Sequence, residues 1–321
     1  MSTRDPLYDI IGDIHGQYGK LEALLGKLGY SHAHGLWTPP DGRMAVFLGD
    51  LIDRGPEQLK TLNAVRAMCE AGFAHCVMGN HELNAIGFVT PYPDTPKTRG
   101  MFAREHSNKN RRQHIEFLEQ VGEGSDLHAY WIEWFRTLPL FLDLGGIRAV
   151  HAWWHQPHID TLHRHNMHDG RLSDQQVLWA LGKHDGQRHE AFDAMEGLSK
   201  GLEIRLPEGL TFTDHAGNVR KDARTRWWLE GAEFLHEIAI TEGVESPQLH
   251  GHPIPHSFNP MPVSGAPVFI GHYWMQGKPA ILTPKVACLD YSAAHNGPLV
   301  AYRWRGESEL TDAGFVQAGA P

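Results

Sequence analysis

From Leu7 the chain alternates short, mostly apolar runs with longer stretches whose apolar residues recur at helical spacing. LYDII predicts a strand over 7–11, QYGKLEALLGKLG an amphipathic helix with Leu21, Leu24, Leu25 and Leu28 on one face, and MAVFLG a second strand. The cycle repeats: EQLKTLNAVRAMCEAG predicts a helix stopped at Gly72 and FAHCVMG a third strand, so residues 7–80 read as two tandem βαβ units. Apolar strands separated by helices belong in a largely parallel sheet covered on both faces, an α/β architecture. The rhythm breaks at VTPYPDTPKTRG (89–100), a Pro- and Thr-rich loop, and helical patterns return near 111–121 and 127–137, which predicts an insertion. LPLFLDLGGIRAVHAWW (138–154) reads as strands joined by a tight turn at Gly145 and Gly146. The stretch 155–235 is polar and mostly helical and is expected to lie over the functional edge as a cap. APVFIGHYW, AILTP, VACLDYS and GPLVAYRW then follow as short strands without helices between them, predicting an antiparallel or mixed sheet that faces the first. No solenoid repeat or low-complexity segment interrupts the pattern, and the tail DAGFVQAGAP is expected to fray.

With 321 residues, 41% of them hydrophobic, the chain is long enough for one large domain over 1–321, with cap segments at about 89–137 and 155–260. A formal charge of -9 and the lack of a basic run argue against general nucleic-acid binding, which needs a phosphate-neutralising surface. Cys69, Cys76 and Cys288 form neither a CxxC pair nor an even framework, so they read as buried thiols in a reducing compartment. MSTRDPLYDIIGD enters a strand at once, with no basic region followed by an apolar one and no bilayer-length apolar stretch elsewhere, so the expectation is cytoplasmic, without a membrane partner. Histidine is abundant, at 23 residues, but clusters such as HRHNMHDG (163–170) read as solvated loops.

Three of the predicted strands end alike, in IIGDIHG (10–16), FLGDLIDRG (47–55) and VMGNHE (77–82). Ligands of an open α/β sheet bind at that edge, so Asp13, His15, Asp50, Asp53, Asn80 and His81 are expected to converge in one crevice. Asp13, His15 and Asp50 can hold one divalent ion, and Asn80 with two further histidines a second. Asp50 is the candidate bridge, because two-metal hydrolytic sites keep their ions about 3.5–4 Å apart and need a shared ligand. His151 in RAVHAWW and His272 in VFIGHYW follow apolar runs in the same way and supply the missing imidazoles. Any one of these residues alone would read as a cap or an ion-pair partner; packing gives no reason to repeat the pattern at successive strand ends.

GDIHG, GDLIDRG and GNHE, in this order and spacing, resemble the three motif blocks of the phosphoprotein-phosphatase family of calcineurin-like metallophosphoesterases. That family includes serine/threonine protein phosphatases and symmetrical diadenosine tetraphosphate hydrolases. The resemblance is dense over the first ninety or so residues and continues singly at His151 and His272. It implies a four-layer α/β/β/α sandwich with a mostly helical cap insertion, and a binuclear centre usually loaded with manganese or iron, zinc being compatible with the same ligands. Phosphate monoesters would be hydrolysed by direct attack of a metal-bridging hydroxide. Carried over, Asp13, His15 and Asp50 are ligands of one ion and Asp50, Asn80, His151 and His272 of the other. His81 is the general acid, Asp53 holds its ring, and Arg54 clamps the phosphate together with Asn80. In-line phosphoryl transfer needs neutralised equatorial charge, a deprotonated water and a protonated leaving group, which this set supplies.

The chain departs from the family where relatives carry His-Gly-Gly and Gly-His-Thr, having HAWW (151–154) and GHYW (271–274) instead. Trp153, Trp154, Tyr273 and Trp274 either stack on a nucleobase or pack the sandwich, and the general burial of Trp favours packing. ARTRWW (223–228) offers Arg224 and Arg226, and its TRW resembles a Thr-Arg-Met stretch of the tetraphosphate hydrolases, which points to Arg226 as a second phosphate ligand; an ion pair on the surface is the alternative. His250, His252 and His256 in LHGHPIPH read as loop residues between prolines. The expected partner is thus a phosphorylated protein, a small phosphate ester or a nucleotide. Symmetrical hydrolysis of dinucleoside tetraphosphates is the runner-up, and a metal-bearing binding module without catalysis the alternative from another class.

Overall fold

The structure, a computed structural model, describes residues 7–168, 170–182, 188–213, 217, 219–241, 246–256 and 258–319. The chain opens with β1 (Leu7–Ile11), α1 (Tyr18–Lys27), a small hairpin of β2 (Ser31–Ala33) and β3 (Leu36–Thr38), and β4 (Arg43–Phe47). α2 (Gln58–Glu70) then leads to β5 (Ala74–Cys76). β1, β4 and β5 pair in parallel, with Ile10 opposite Val46 and Val46 opposite His75, as two βαβ units require. The exposed hairpin between α1 and β4 is too short and too polar to carry an apolar period, and the sequence pattern does not announce it.

A second sheet starts with a hairpin of β6 (Phe141–Asp143) and β7 (Arg148–Val150), turning at Gly145, whose φ of 76° suits glycine. It adds, in parallel, the two late strands β13 (Val268–Ile270) and β14 (Val286–Cys288). The last pair, β15 (Leu299–Arg303) and β16 (Phe315–Ala318), crosses back to the first sheet, where β15 runs antiparallel to β1. The final third therefore divides between two sheets. AILTP forms no strand: Thr283 and Val286 make an isolated bridge, and Pro284 between them has no N–H to extend a ladder.

The two sheets face each other through Ile10, Val46, Phe269, Ala287, Val300 and Tyr302. Their neighbours Ile11, Phe47, Ile270, Cys288 and Ala301 point the other way into the helical layers. Both faces of each strand are covered, which is why the strands read as mostly apolar runs, and the result is an α/β/β/α sandwich. Asp9 is the polar exception in β1; fully buried, it accepts from Arg43 on β4 and Arg303 on β15 and ties three strands together.

α3 (Asn80–Val89), α4 (Asn108–Gln113), α5 (Ile115–Val121) and α6 (Asp126–Phe135) cover one side of the centre. The later segment is helical through α7 (Gln156–Arg164), α8 (Asp174–Leu181) and α9 (Glu190–Lys200) and then changes to strands. There β8 (Glu203–Arg205), β11 (Asp222–Thr225) and β12 (Ala239–Ile240) form a small sheet beside a ribbon of β9 (Phe212–Thr213) and β10 (Val219–Arg220), with α10 (Leu235–Ile238) against it. This part has its own apolar cluster around Ile204, Phe212, Ala223, Leu235 and Leu249. Trp153, Trp154 and Tyr273 are buried in the main core, whereas Trp274 is 37% exposed. Among the described residues no helix is long and apolar enough to cross a membrane.

Candidate metal centre

The tips of β1, β4, β7 and β13 and the start of α3 meet at one sheet edge, and all six sequence-predicted ligands arrive there buried. Asp50 lies at the middle: its carboxylate is 3.6 Å from His15 Nε2 and 3.4 Å from His151 Nε2, and it accepts from the His81 backbone N–H at 2.9 Å. Asn80 Oδ1 lies 3.1 Å from His151 Nε2 and 2.8 Å from His272 Nδ1. Asp13 accepts from the His272 backbone N–H at 3.0 Å, which links the first strand end to the last. Two imidazoles are fixed from behind: His15 Nδ1 donates to the Ile52 carbonyl and His151 Nδ1 to that of Leu48, each at 2.7 Å. Both Nε2 atoms are thereby turned toward the centre, as backbone-oriented ligand histidines require.

The electrostatics of this cluster call for a cation. Burial, and next the charge of Asp290, raise the Asp13 carboxyl well above the ordinary range. Burial and the neighbouring His81 lower His15 to about 3, so its imidazole is neutral. Burial opposes a charge on His151, yet the Asp50 carboxylate outweighs it and pushes the imidazole up to about 10. Asp13 Oδ1, His15 Nε2 and His272 Nε2 are buried without a hydrogen-bond partner. Among the described residues, His15, Asp50 and His81 form one group, and Asp50, His151 and His272 another, each with ligand atoms within 4.8 Å of one another. Mixed carboxylate and imidazole donors that lack partners fit divalent ions, with Asp50 common to both groups.

On the rim, His81 Nδ1 donates to Asp53 Oδ2 at 2.5 Å. Burial alone would lower His81, but the Asp50 and Asp53 carboxylates raise it above its usual value. Asp53 has a second imidazole partner that sequence reasoning missed: His114 Nδ1 donates to Oδ1 at 2.7 Å. Burial opposes the Asp53 charge, and His114 and His81 together bring its carboxyl down to about 2. Arg54 stacks its guanidinium 4.8 Å from the Trp274 ring centre, and Arg224 approaches the same ring at 5.9 Å. Arg226 is placed differently: its Nη1 donates to the Glu237 carbonyl at 2.9 Å and holds β11 to the segment behind it. His250 stacks on His236 at 4.3 Å, in the small β layer.

Two further carboxylates went unread. Glu82, fully buried, accepts from the backbone N–H groups of Gly79, Asp50 and Leu51 at 2.9, 2.9 and 2.8 Å. Burial and Asp50 push its carboxyl up to about 7 while the Leu51 N–H pulls it down. Asp290 accepts from the Trp274 and Ser292 N–H groups, each at 2.9 Å. Glu82 belongs to the GNHE block itself, where an acid three residues after a helix-starting glycine is a capping pattern. Asp290 follows the apolar run VACL as His151 follows RAV, a signal that was present and unused, whereas His114 carries none, because only the tertiary fold brings it in.

A sandwich that gathers carboxylates and imidazoles from separate strand ends, rimmed by an Arg and a His paired with an Asp, defines a metal-dependent phosphohydrolase. The family model for calcineurin-like phosphoesterases matches residues 8–258, and the chain belongs to that family, whose members are hydrolases of phosphoester bonds served by divalent metal ions. Two relatives are named asymmetrical bis(5'-nucleosyl)-tetraphosphatase PrpE. The one from Geobacillus thermodenitrificans is 53% identical over 73 residues, 23% of this chain and 30% of the relative. The one from Oceanobacillus iheyensis is 30% identical over 144 residues, 45% of this chain and 54% of the relative. This chain thus spans about a third of the first relative's length and about half of the second's. Among solved structures, a protein serine/threonine phosphatase from Saccharomyces cerevisiae overlaps 100% of this chain and 82% of its own, at 14% identity and a TM-score of 0.48.

Proposed function

We propose that the protein hydrolyses phosphate monoesters at a binuclear centre, with Asp13, His15 and Asp50 holding one divalent ion and Asp50, Asn80, His151 and His272 the other. The observation that carries this reading is the set of buried, partnerless ligand atoms on Asp13, His15 and His272 around Asp50. Divalent ions held there supply Lewis acidity to the phosphoryl oxygens and to water. The rest falls to the chain. Asn80 Oδ1 is taken up between His151 and His272, which leaves its amide nitrogen to donate to a phosphate oxygen. Arg54 carries a positive charge to the rim and binds the remaining oxygens, with Arg224, which approaches the same Trp274 ring, as the second arginine. His81 gives its Nε2 proton to the leaving oxygen, and Asp53, which accepts from Nδ1, fixes the ring. Oxygen and imidazole ligands suit manganese, iron and zinc alike, and manganese is the ion proposed. Metal analysis of the purified protein, followed by assay of p-nitrophenyl phosphate with manganese, tests the reading. No turnover on a panel of phosphate esters with any of the three metals would overturn it and leave a binding module.

A specific observation favours a second reading, hydrolysis of a dinucleoside polyphosphate. Beside the centre lies a cavity of about 800 Å³, lined by Trp228 and Trp274 and by Arg205, Lys221 and Arg224. Aromatic faces interleaved with cations suit a nucleoside with additional phosphates. The matched relatives carry names of that class, although those names specify asymmetrical cleavage where the motif resemblance suggested symmetrical. Products from diadenosine tetraphosphate decide between them: two ADP mark symmetrical cleavage, ATP with AMP asymmetrical cleavage, and no cleavage alongside hydrolysis of a phosphopeptide removes the second reading.

A further inference from the structure

The geometry points to His114 as a positioning residue for the proposed general acid, acting through Asp53; the inference rests on the reading of His81 given above. Both oxygens of the Asp53 carboxylate are taken, Oδ2 by His81 Nδ1 at 2.5 Å and Oδ1 by His114 Nδ1 at 2.7 Å. A carboxylate held at one oxygen can still rotate about its Cβ–Cγ bond; held at both, it is fixed, and so is the ring that hangs on it. His114 is itself held rigidly. It sits at the junction of α4 and α5, is only 6% exposed, and lies between Phe88 and Phe117 at ring separations of 5.7 and 5.0 Å. Gln58 completes the support by accepting from the Asp53 N–H at 2.8 Å.

Chain connectivity makes the arrangement informative. His114 lies in the middle of the insertion that follows α3, so a segment outside the sandwich reaches back to orient a group on its rim. A buried imidazole aimed at an already paired carboxylate adds nothing to packing that an apolar ring would not. Its polar contribution is the second N–H donor to Asp53.

The test compares His114→Phe, His114→Asn and His81→Asn on p-nitrophenyl phosphate and phenyl phosphate, whose leaving oxygens differ in their need for a proton. For His114→Phe we expect kcat on phenyl phosphate to fall about 10- to 100-fold, the range for supports of a functional ligand, with a loss of no more than about threefold on p-nitrophenyl phosphate and KM unchanged on both. Asparagine presents an N–H near the position of Nδ1 and should restore most of the phenyl phosphate rate. In metal-free protein, proton NMR should show downfield imidazole Nδ1–H resonances from His81 and His114 beside those of His15 and His151, and His114→Phe should remove one of them and shift that of His81. Equal losses on both esters for His114→Phe, no rescue by Asn, or an unshifted His81 resonance overturn the role of His114. Equal losses on both esters for His81→Asn instead overturn the acid assignment, and the inference on His114 falls with it.

Discussion

Glu82 offers the sharpest test of how the metal-binding edge is held together. Its two oxygens accept from three backbone N–H groups, those of Gly79, Asp50 and Leu51, at 2.8–2.9 Å, and the side chain has no exposure to solvent. The carboxylate thus joins the loop after β4 to the loop after β5 at the residues flanking Asp50. In Glu82→Ala three buried donors lose their acceptor at about 1–3 kcal/mol each, but water can enter the space left, so the expected loss is about 3–5 kcal/mol rather than the full sum. Glu82→Gln retains the shape and one carbonyl oxygen, yet turns an amide N–H₂ toward a backbone donor, so about 2 kcal/mol is expected. Urea unfolding of chelator-treated protein, followed by tryptophan fluorescence, measures both; metal must be absent because ions bound to the folded state would add their own stabilisation. At slopes of about 1–3 kcal/mol per molar, the Ala variant should shift the midpoint by roughly 1 M or more. A shift equivalent to less than about 0.5 kcal/mol for Glu82→Ala, or a larger one for Gln than for Ala, would refute the argument that these three bonds define the edge.

Other outcomes follow from neighbouring features. Asp50→Asn should lower turnover by about 10²-fold or more and abolish the rise in melting temperature that manganese gives the wild type; a manganese-induced rise that persists in the variant would show that Asp50 is not shared between ions. Gly79→Ala should be folded poorly or not at all, since its Cβ would lie 2.3 Å from the Asp50 nitrogen and 2.2 Å from its Oδ1, and recovery of soluble protein with normal metal uptake would contradict this. His158, lowered to about 4 by burial and then by His155, stays neutral in the folded state while the unfolded imidazole takes its proton near 6.5. Stability should therefore fall as pH drops from about 6.5 toward 4, with no contribution above that window. His158→Gln should remove that part of the slope, and a difference in midpoint between wild type and variant that is the same at pH 7.5 and pH 5 would count against it.

The sandwich was legible because parallel strands covered on both faces leave mostly apolar runs, and Leu7–Ile11 (broken only by Asp9), 44–47 and Val268–Ile270 are such runs. Chemistry at their ends was legible because Gly-Asp and Gly-Asn-His recur there. The change from helix to strand after Lys200 was not, because β8, β11 and β12 are two to four residues long and half exposed, too short for either period to accumulate. Trp274 could not be told from Trp153 by composition; the difference is that Asp290, sixteen positions on, accepts from the Trp274 N–H and turns its ring outward. Arg224 and Arg226 lie two apart on or beside one strand and both line the cavity; what separates them is that Arg226 donates to the carbonyl of Glu237, eleven residues on, while Arg224 pairs with Glu203, and neither partner is marked in the sequence.

One local rule is broken repeatedly at this edge, and it connects the stability of the fold with its chemistry. His15, Asp50, Asp53, Arg54, His272 and Trp274 all have φ between 47° and 70°, a region that favours glycine and costs an L-residue about 1–2 kcal/mol. Six such costs approach the whole stability of a typical domain, so the flanking bonds from Glu82, Asp13, Gln58 and Asp290 must offset them. Glycine would relieve the strain but would carry no carboxylate, imidazole or guanidinium. Arg54 isolates this trade-off, since it is half-buried and held by stacking on Trp274 rather than by a buried network. Arg54→Ala and Arg54→Gly lose the guanidinium alike, so both should raise KM for a phosphate ester to the same extent. Only the glycine variant escapes the strained φ of 69°, and after its larger unfolded-state entropy is subtracted it should remain about 0.5–1 kcal/mol more stable than the alanine variant in urea. Equal midpoints, or an alanine variant that is the more stable, would mean that the turn at Arg54 stores no strain and that the positive φ values at this edge are not the cost of presenting its side chains.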